Sequence, residues 1–133
     1  MELKYYEMNE EEIRKLVEDL RAKLEAYEDI VLAHIHGSFL KGRFRDVDVA
    51  IWIKGGKADA FHYTVEVSAE LSKEFPVDLH VLNEAPVSFQ YQVFTGGRLL
   101  FSRDEKIRSE AMDRALKMHL DSKELLRSLS ATR

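Results

Sequence analysis

Asp46 and Asp48 stand two residues apart, and Asp78 lies in the later stretch Val77-Asp78-Leu79-His80-Val81. Alternate residues of a strand point to one face, so an extended chain here puts Asp46 and Asp48 on the same side. Asp78 takes the polar face of a second strand, and three carboxylates converge if the two strands are neighbours. Carboxylates at close range repel one another, and burial raises their pKa values further. A divalent cation removes that conflict. Hard oxygen donors with open positions suit Mg2+ or Mn2+, substrate phosphate completing the shell. Just upstream, Gly37-Ser38 follows an apolar run. A glycine lets backbone N–H groups approach an anion, and the serine hydroxyl adds a donor. Lys41, Arg43 and Arg45 supply positive charge nearby. Alone, an Asp-x-Asp pair is a common solvated strand edge and a Gly-Ser pair a common turn. In this order they describe phosphoryl or nucleotidyl transfer assisted by two metal ions.

The elements that must position these residues are legible from periodicity. Asn9 and Glu12 form a capping-box pattern, with Glu10 and Glu11 in the first turn. Behind them Ile13, Leu16, Val17, Leu20, Leu24 and Tyr27 recur at helical spacing, predicting a helix over about residues 10–27. Residues 30–35 form a nearly continuous apolar run, the pattern of a strand buried on both faces. From Asp46 the period becomes two: Val47, Val49, Ile51 and Ile53 point one way, Asp46, Asp48, Ala50 and Trp52 the other. Lys54-Gly55-Gly56 ends that strand, and a helix over about 57–74 follows, with Phe61, Val65, Val67, Ala69 and Leu71 as its apolar positions. Pro76 opens a second alternating strand to Leu82. Pro86 starts a short helix that Gly96-Gly97 ends. Residues 98–102 read as a strand, and Asp104 caps a final helix to about Ser130. Helices and strands alternate throughout, so the fold class is α/β (α+β): a small mixed sheet flanked by helices.

The chain has 133 residues, which fits a single domain over 1–133 with its core at about 30–105. With no cysteine, disulfides, thiol nucleophiles and Cys-ligated metals are excluded. The net charge of −4 argues against direct nucleic-acid binding. Neither a secretory apolar segment nor a membrane span stands out, so a cytoplasmic location is expected. Charged residues make up 33% of the chain while Asn and Gln occur twice each, a bias in the direction of heat-adapted proteins.

The stretches HGSFLKGRFRDVDVAIWI, FPVDLHVLNEAP and FTGGRLLFSRDE resemble the minimal nucleotidyltransferases (MNT) of the DNA polymerase β-like superfamily. The resemblance implies that superfamily's fold, with Gly37 and Ser38 as its Gly-Ser element. It implies that Asp46 and Asp48 are the paired metal-binding aspartates and Asp78 the third carboxylate, all three serving catalysis. The reaction implied is transfer of a nucleoside monophosphate, AMP from ATP, with pyrophosphate leaving. Two Mg2+ ions, or Mn2+, are the implied cofactors. Gly37 and Ser38 would grip the triphosphate, with Lys41 and Arg43 adding charge. Seven residues separate Ser38 from Asp46, fewer than usual, and Arg45 stands where a serine normally precedes the first aspartate. Small proteins of this kind commonly pair with a HEPN-domain partner as a toxin–antitoxin system, and some transfer AMP to a tyrosine hydroxyl of the toxin. The implied role is therefore that of the antitoxin, with the partner bringing the acceptor hydroxyl. Ile107, Ala111, Leu116, Leu125, Leu126 and Leu129 of the last helix serve either such an interface or the protein's own core.

Two competing readings stand beside this one. The protein could keep the fold without catalysis and inhibit a partner by steric occlusion. Alternatively, His34, His36 and His80 suggest a histidine-based zinc site, although His34 lies in an apolar run and reads as a satisfied core residue. His36 and His80 border the expected cleft. Trp52 shares the aspartate face and reads as core, with base stacking as the alternative.

Overall fold

The computed structural model describes residues 4–131. Of the expected single domain over 1–133, residues 1–3 and 132–133 lie outside the described residues.

The first long helix, α1 (Glu10–Glu25), starts where its capping signal places it. Asn9 Oδ1 accepts from the Glu12 N–H at 2.9 Å, and the Asn9 N–H donates to Glu12 Oε1 at 3.2 Å. Ahead of it, β1 (Tyr6–Glu7) pairs with β3 (Arg43–Phe44) in a two-stranded antiparallel ribbon. The main sheet contains β2 (Ile30–His36), β4 (Val47–Ile53), β5 (Val77–Val81) and β6 (Arg98–Ser102) in the order β5-β4-β2-β6. β2 runs antiparallel to β4 and β6, while β4 and β5 are parallel, so the sheet is mixed. A parallel pair needs a crossover, supplied here by α2 (Lys57–His62), a π-helical stretch at Tyr63–Val67, and α3 (Ser68–Leu71).

The crossover differs from the continuous helix expected over 57–74. The Ser68 N–H donates to the Tyr63 carbonyl five residues back, so one extra residue is looped into the helix. Ala60, Tyr63, Val67 and Leu71, at ordinary 3-4-4 helical spacing, face inward, while Phe61 and Val65, expected inside, are 69% and 50% exposed. Two serines at and beyond the insertion meet the outer edge of β5. Ser68 Oγ donates to the Val77 carbonyl at 2.8 Å and accepts from the Leu79 N–H at 3.1 Å, and Ser72 Oγ accepts from the Val77 N–H at 2.8 Å. Side chains thus occupy the ladder positions of an edge strand.

Apolar residues fill both faces of the sheet. On one side α1 and the crossover bury Val17, Leu20 and Leu24 against Ile35, Val47, Val49, Ile51 and Leu79. On the other, α4 (Val87–Gly96) and α5 (Glu105–Ala131) pack Val93, Phe94, Ala111 and Ala115 over Leu32, Ala50 and Leu82. Trp52, on the aspartate face as the alternation predicts, is half-buried and packs against this second core, with the Arg114 guanidinium 5.8 Å from its ring centre. The second core covers only part of its face, leaving the ends of β4 and β5 nearest β3 open. Leu116, Leu125 and Leu126 of α5 are exposed, while Ala111 and Ala115 are buried.

Candidate active site

Strand register gathers the chemistry on the open part of that face. His36 lies opposite Asp48 across β2–β4, and Asp48 opposite Asp78 across β4–β5. One step along, His34 and His80 flank Ala50. With alternate residues sharing a face, His34, His36, Asp48, Asp78 and His80 all project from the same side.

Oxygen and nitrogen donors of Asp48, Asp78 and His80 lie within 4.8 Å of one another. His80 Nε2 sits 3.3 Å from Asp78 Oδ2 and 3.7 Å from Asp48 Oδ1. Contact with the Asp48 carboxylate raises the His80 pKa, burial opposes that, and Asp78 and Asp46 add to the rise. Asp46 falls one residue ahead of β4, in a bend, and is half-buried outside this cluster of donors. Burial raises its pKa, and repulsion from Asp48 and then Asp78 raises it further; Arg45 opposes the shift. Asp46, Asp48 and Asp78 therefore share one electrostatic neighbourhood, while the tightest donor set is Asp48, Asp78 and His80. Two carboxylates and an imidazole with a third carboxylate destabilised beside them fit a divalent cation, which relieves the repulsion.

Gly37 and Ser38 come off the end of β2 into a single 3-10 turn, Ser38–Lys41, buried at Phe39 and ended by Gly42. Gly37 has φ +82°, and a Cβ there would meet Asp48 Oδ2 at 2.7 Å. Both the left-handed backbone and the close approach require glycine. The turn therefore rests directly on the Asp48 carboxylate. Ser38 and Lys41 are exposed on it. Arg43 and Arg45 turn toward the Tyr5 ring, 4.7 and 5.7 Å from its centre, and Arg43 lies 4.0 Å from Glu7.

In sequence His80 reads as a cleft neighbour and, with His34 and His36, as part of an alternative zinc site; the structure instead groups it with the carboxylates Asp48 and Asp78. Beside it opens a cleft of about 370 Å3 lined by Thr64, Val81, Ala85, Pro86 and Phe89, a volume in the range of small-molecule sites. His36 packs its ring 5.5 Å from Phe89 and 5.8 Å from His80. Burial lowers its pKa, Asp48 counteracts, and His80 adds to the lowering. His34 is in the core, as expected, but among the described residues neither ring nitrogen has a hydrogen-bond partner, which differs from the expected satisfied histidine.

Comparison with known proteins identifies the family and the fold. The sequence matches the family described as polymerase beta, nucleotidyltransferase, over residues 18–106. No curated protein matches the chain by sequence. Among solved structures, the fold is similar to a chain of the tri-AMPylated Shewanella oneidensis HEPN toxin in complex with MNT antitoxin. That chain is 18% identical with a TM-score of 0.64, the match covering 89% of this chain and 96% of that one. A chain of the toxin–antitoxin complex MntA–HepT is 17% identical, with a TM-score of 0.63 and coverage of 88% and 96%. A chain of a toxin–antitoxin structure with AMP-PNP is 20% identical, with a TM-score of 0.61 and coverage of 93% and 97%. Among the described residues, no helix is long and apolar enough to cross a membrane. With the family match spanning most of the sheet and the carboxylates, the chain belongs to the polymerase beta nucleotidyltransferase family.

Proposed function

We propose that the chain is a metal-dependent nucleotidyltransferase that moves AMP from ATP onto a hydroxyl of a HEPN-domain partner protein, acting as the antitoxin of a toxin–antitoxin pair in the cytoplasm. The observation that carries this reading is the register of Asp48 beside Asp78 on adjacent parallel strands, with Asp46 close enough to feel both charges. The similar folds include MNT antitoxin complexes, one described with an AMPylated HEPN toxin and one with AMP-PNP, and these supply the partner and nucleotide of the proposal.

In this reading Asp46, Asp48 and Asp78 hold the divalent cations, two Mg2+ or Mn2+. When bound, these supply positive charge against the triphosphate and lower the pKa of the acceptor hydroxyl. Gly37 presents backbone to the β- and γ-phosphates, Ser38 donates its hydroxyl, and Lys41 adds charge. Arg43 is the weaker member of this group, since its guanidinium faces Tyr5 and Glu7. Asp78, the most exposed of the clustered carboxylates, is placed to take the acceptor's proton. The acceptor oxygen then bonds to the α-phosphorus, the bond to the bridging oxygen breaks, and pyrophosphate leaves with the electron pair. In this reading the acceptor enters by the cleft beside His80 and Phe89, which adjoins the strand that carries Asp78.

The test is transfer of radiolabel from α-labelled ATP to the HEPN partner in Mg2+, with Asp48→Asn as control. We expect label on the partner that the substitution reduces by at least about a hundredfold, the scale of one lost electrostatic contact to the transition state. Complex formation without any label transfer would sink the catalytic reading and leave steric occlusion of the partner.

A further inference from the structure

The two oxygens of Asp48 face different ways. Oδ2 lies against Gly37 at the head of the Ser38–Lys41 turn, while Oδ1 faces His80. On the Oδ1 side the nearest donors are not carboxylates alone. His80 Nε2 lies 3.3 Å from Asp78 Oδ2 and 3.7 Å from Asp48 Oδ1. Two donors at right angles on a cation with bonds of about 2.1–2.2 Å stand about 3 Å apart, so both spacings are near those of ligands sharing one ion. The imidazole is also held. It projects from β5 on the same face as Asp78, walled by the Phe89 ring at 5.4 Å and the His36 ring at 5.8 Å.

We propose that His80 Nε2 is a direct ligand of the divalent cation held between Asp48 and Asp78, making this a mixed oxygen–nitrogen centre that favours Mn2+ over Mg2+. The inference rests on the proposed metal-dependent chemistry and adds a residue and a selectivity to it. Mg2+ keeps its waters and takes oxygen donors, whereas imidazole is a good ligand for transition metals. The rival arrangement is the one without metal, in which His80 is an ion-pair partner of the two carboxylates and leaves the coordination sphere when a cation enters.

Mn2+ is both the ligand and the probe. Pulsed electron paramagnetic resonance of the Mn2+-loaded protein should show coupling to a directly bound imidazole nitrogen, and His80→Gln should abolish it. Because His36 is close, loss on His80→Gln assigns the nitrogen. In parallel, calorimetric titration should show His80→Gln weakening Mn2+ by about ten- to hundredfold, as losses around a metal centre do, while Mg2+ binding changes far less. His80→Asn serves as the second variant, and circular dichroism melting of each confirms the fold. Failure of wild type to bind Mn2+, Mn2+ bound without nitrogen coupling, or equal weakening of both metals would overturn the assignment. Nitrogen-coupled Mn2+ with no AMP transfer would instead sink the proposed activity and leave the ligand in place.

Discussion

His34 is 2% exposed, next to the Phe94 ring at 5.6 Å, with no hydrogen-bond partner for either ring nitrogen among the described residues. Burial, then the positive charge of Arg108 and of His36, lowers its pKa from 6.5 to about 4. Only the neutral ring is tolerated in the folded state, while the unfolded chain takes up a proton below its ordinary value. Stability is therefore fully present above pH 6.5 and is lost as pH falls from 6.5 toward 4. The loss is about 2 kcal/mol by pH 5, at about 1.4 kcal/mol per unit of pKa shift. Denaturant melts at pH 7 and pH 5 should show that loss in wild type and a loss smaller by about 2 kcal/mol in His34→Leu. Equal losses in both proteins would mean that His34 does not titrate as a buried neutral ring. The apolar run 30–35 was enough to place His34 in the core. It was silent on the missing partner because Phe94 and Arg108 arrive from α4 and α5, far along the chain. The same holds for His80: its face follows from alternation, but its distance to Asp48 depends on a strand pairing across the crossover.

At the scale of elements, period and capping chemistry were sufficient wherever one element's pattern was its own. The Asn9–Glu12 box, the alternation of β4 and the double-sided burial of β2 all depend on local spacing. The helix over 57–74 was not legible in the same way. Its inward stripe Ala60, Tyr63, Val67 and Leu71 keeps ordinary 3-4-4 helical spacing, but apolar side chains at Phe61 and Val65 on another face obscured it, and the looped-in residue with Ser68 bonded to the edge of β5 left no local signal. Joints between elements were equally hidden. The Arg103 guanidinium, at the end of β6, donates to the carbonyls of Tyr27 at 2.8 Å, Ile30 at 2.6 Å and Glu25, closing the C-terminus of α1 with positive charge. Arg103→Met keeps length and removes the donors. It should cost about 2 kcal/mol, the range of charge-assisted bonds, measured by urea denaturation. A cost below about 0.5 kcal/mol, typical of an uninvolved surface change, would show that α1 is held by its apolar face alone.

Across the whole molecule, negative charge and apolar surface are segregated. Asp46, Asp48 and Asp78 concentrate part of the acidic excess at one end of the sheet, where bound cations would neutralise it. Bare apolar surface concentrates on α5. This helix has 27 residues, about 40 Å at 1.5 Å per residue, yet its buried residues, Ala111 and Ala115, lie in its first half. From Asp121 to Ser130 every residue is exposed, so Leu125 and Leu126, 60% and 64% exposed, contribute little to this chain's own core. Met118 and Leu125 are seven residues apart and so share a side of the helix. On the proposed function, this face and the catalytic cluster serve the same partner through different contacts, and substitutions separate them. Leu125→Asp with Leu126→Asp should leave thermal stability within about 0.5 kcal/mol of wild type, as surface changes do. The same pair should weaken the complex with the HEPN partner by at least about tenfold, or 1.4 kcal/mol. Label transfer should fall in parallel at low partner concentration and recover as partner is raised. Asp48→Asn should show the converse, an intact complex with transfer reduced at least about a hundredfold that raising the partner concentration does not restore. If the aspartate pair unfolds the protein, the end of α5 belongs to its own core. If it leaves both stability and association unchanged, the partner docks elsewhere, and the face of the sheet beside His80 becomes the surface to map.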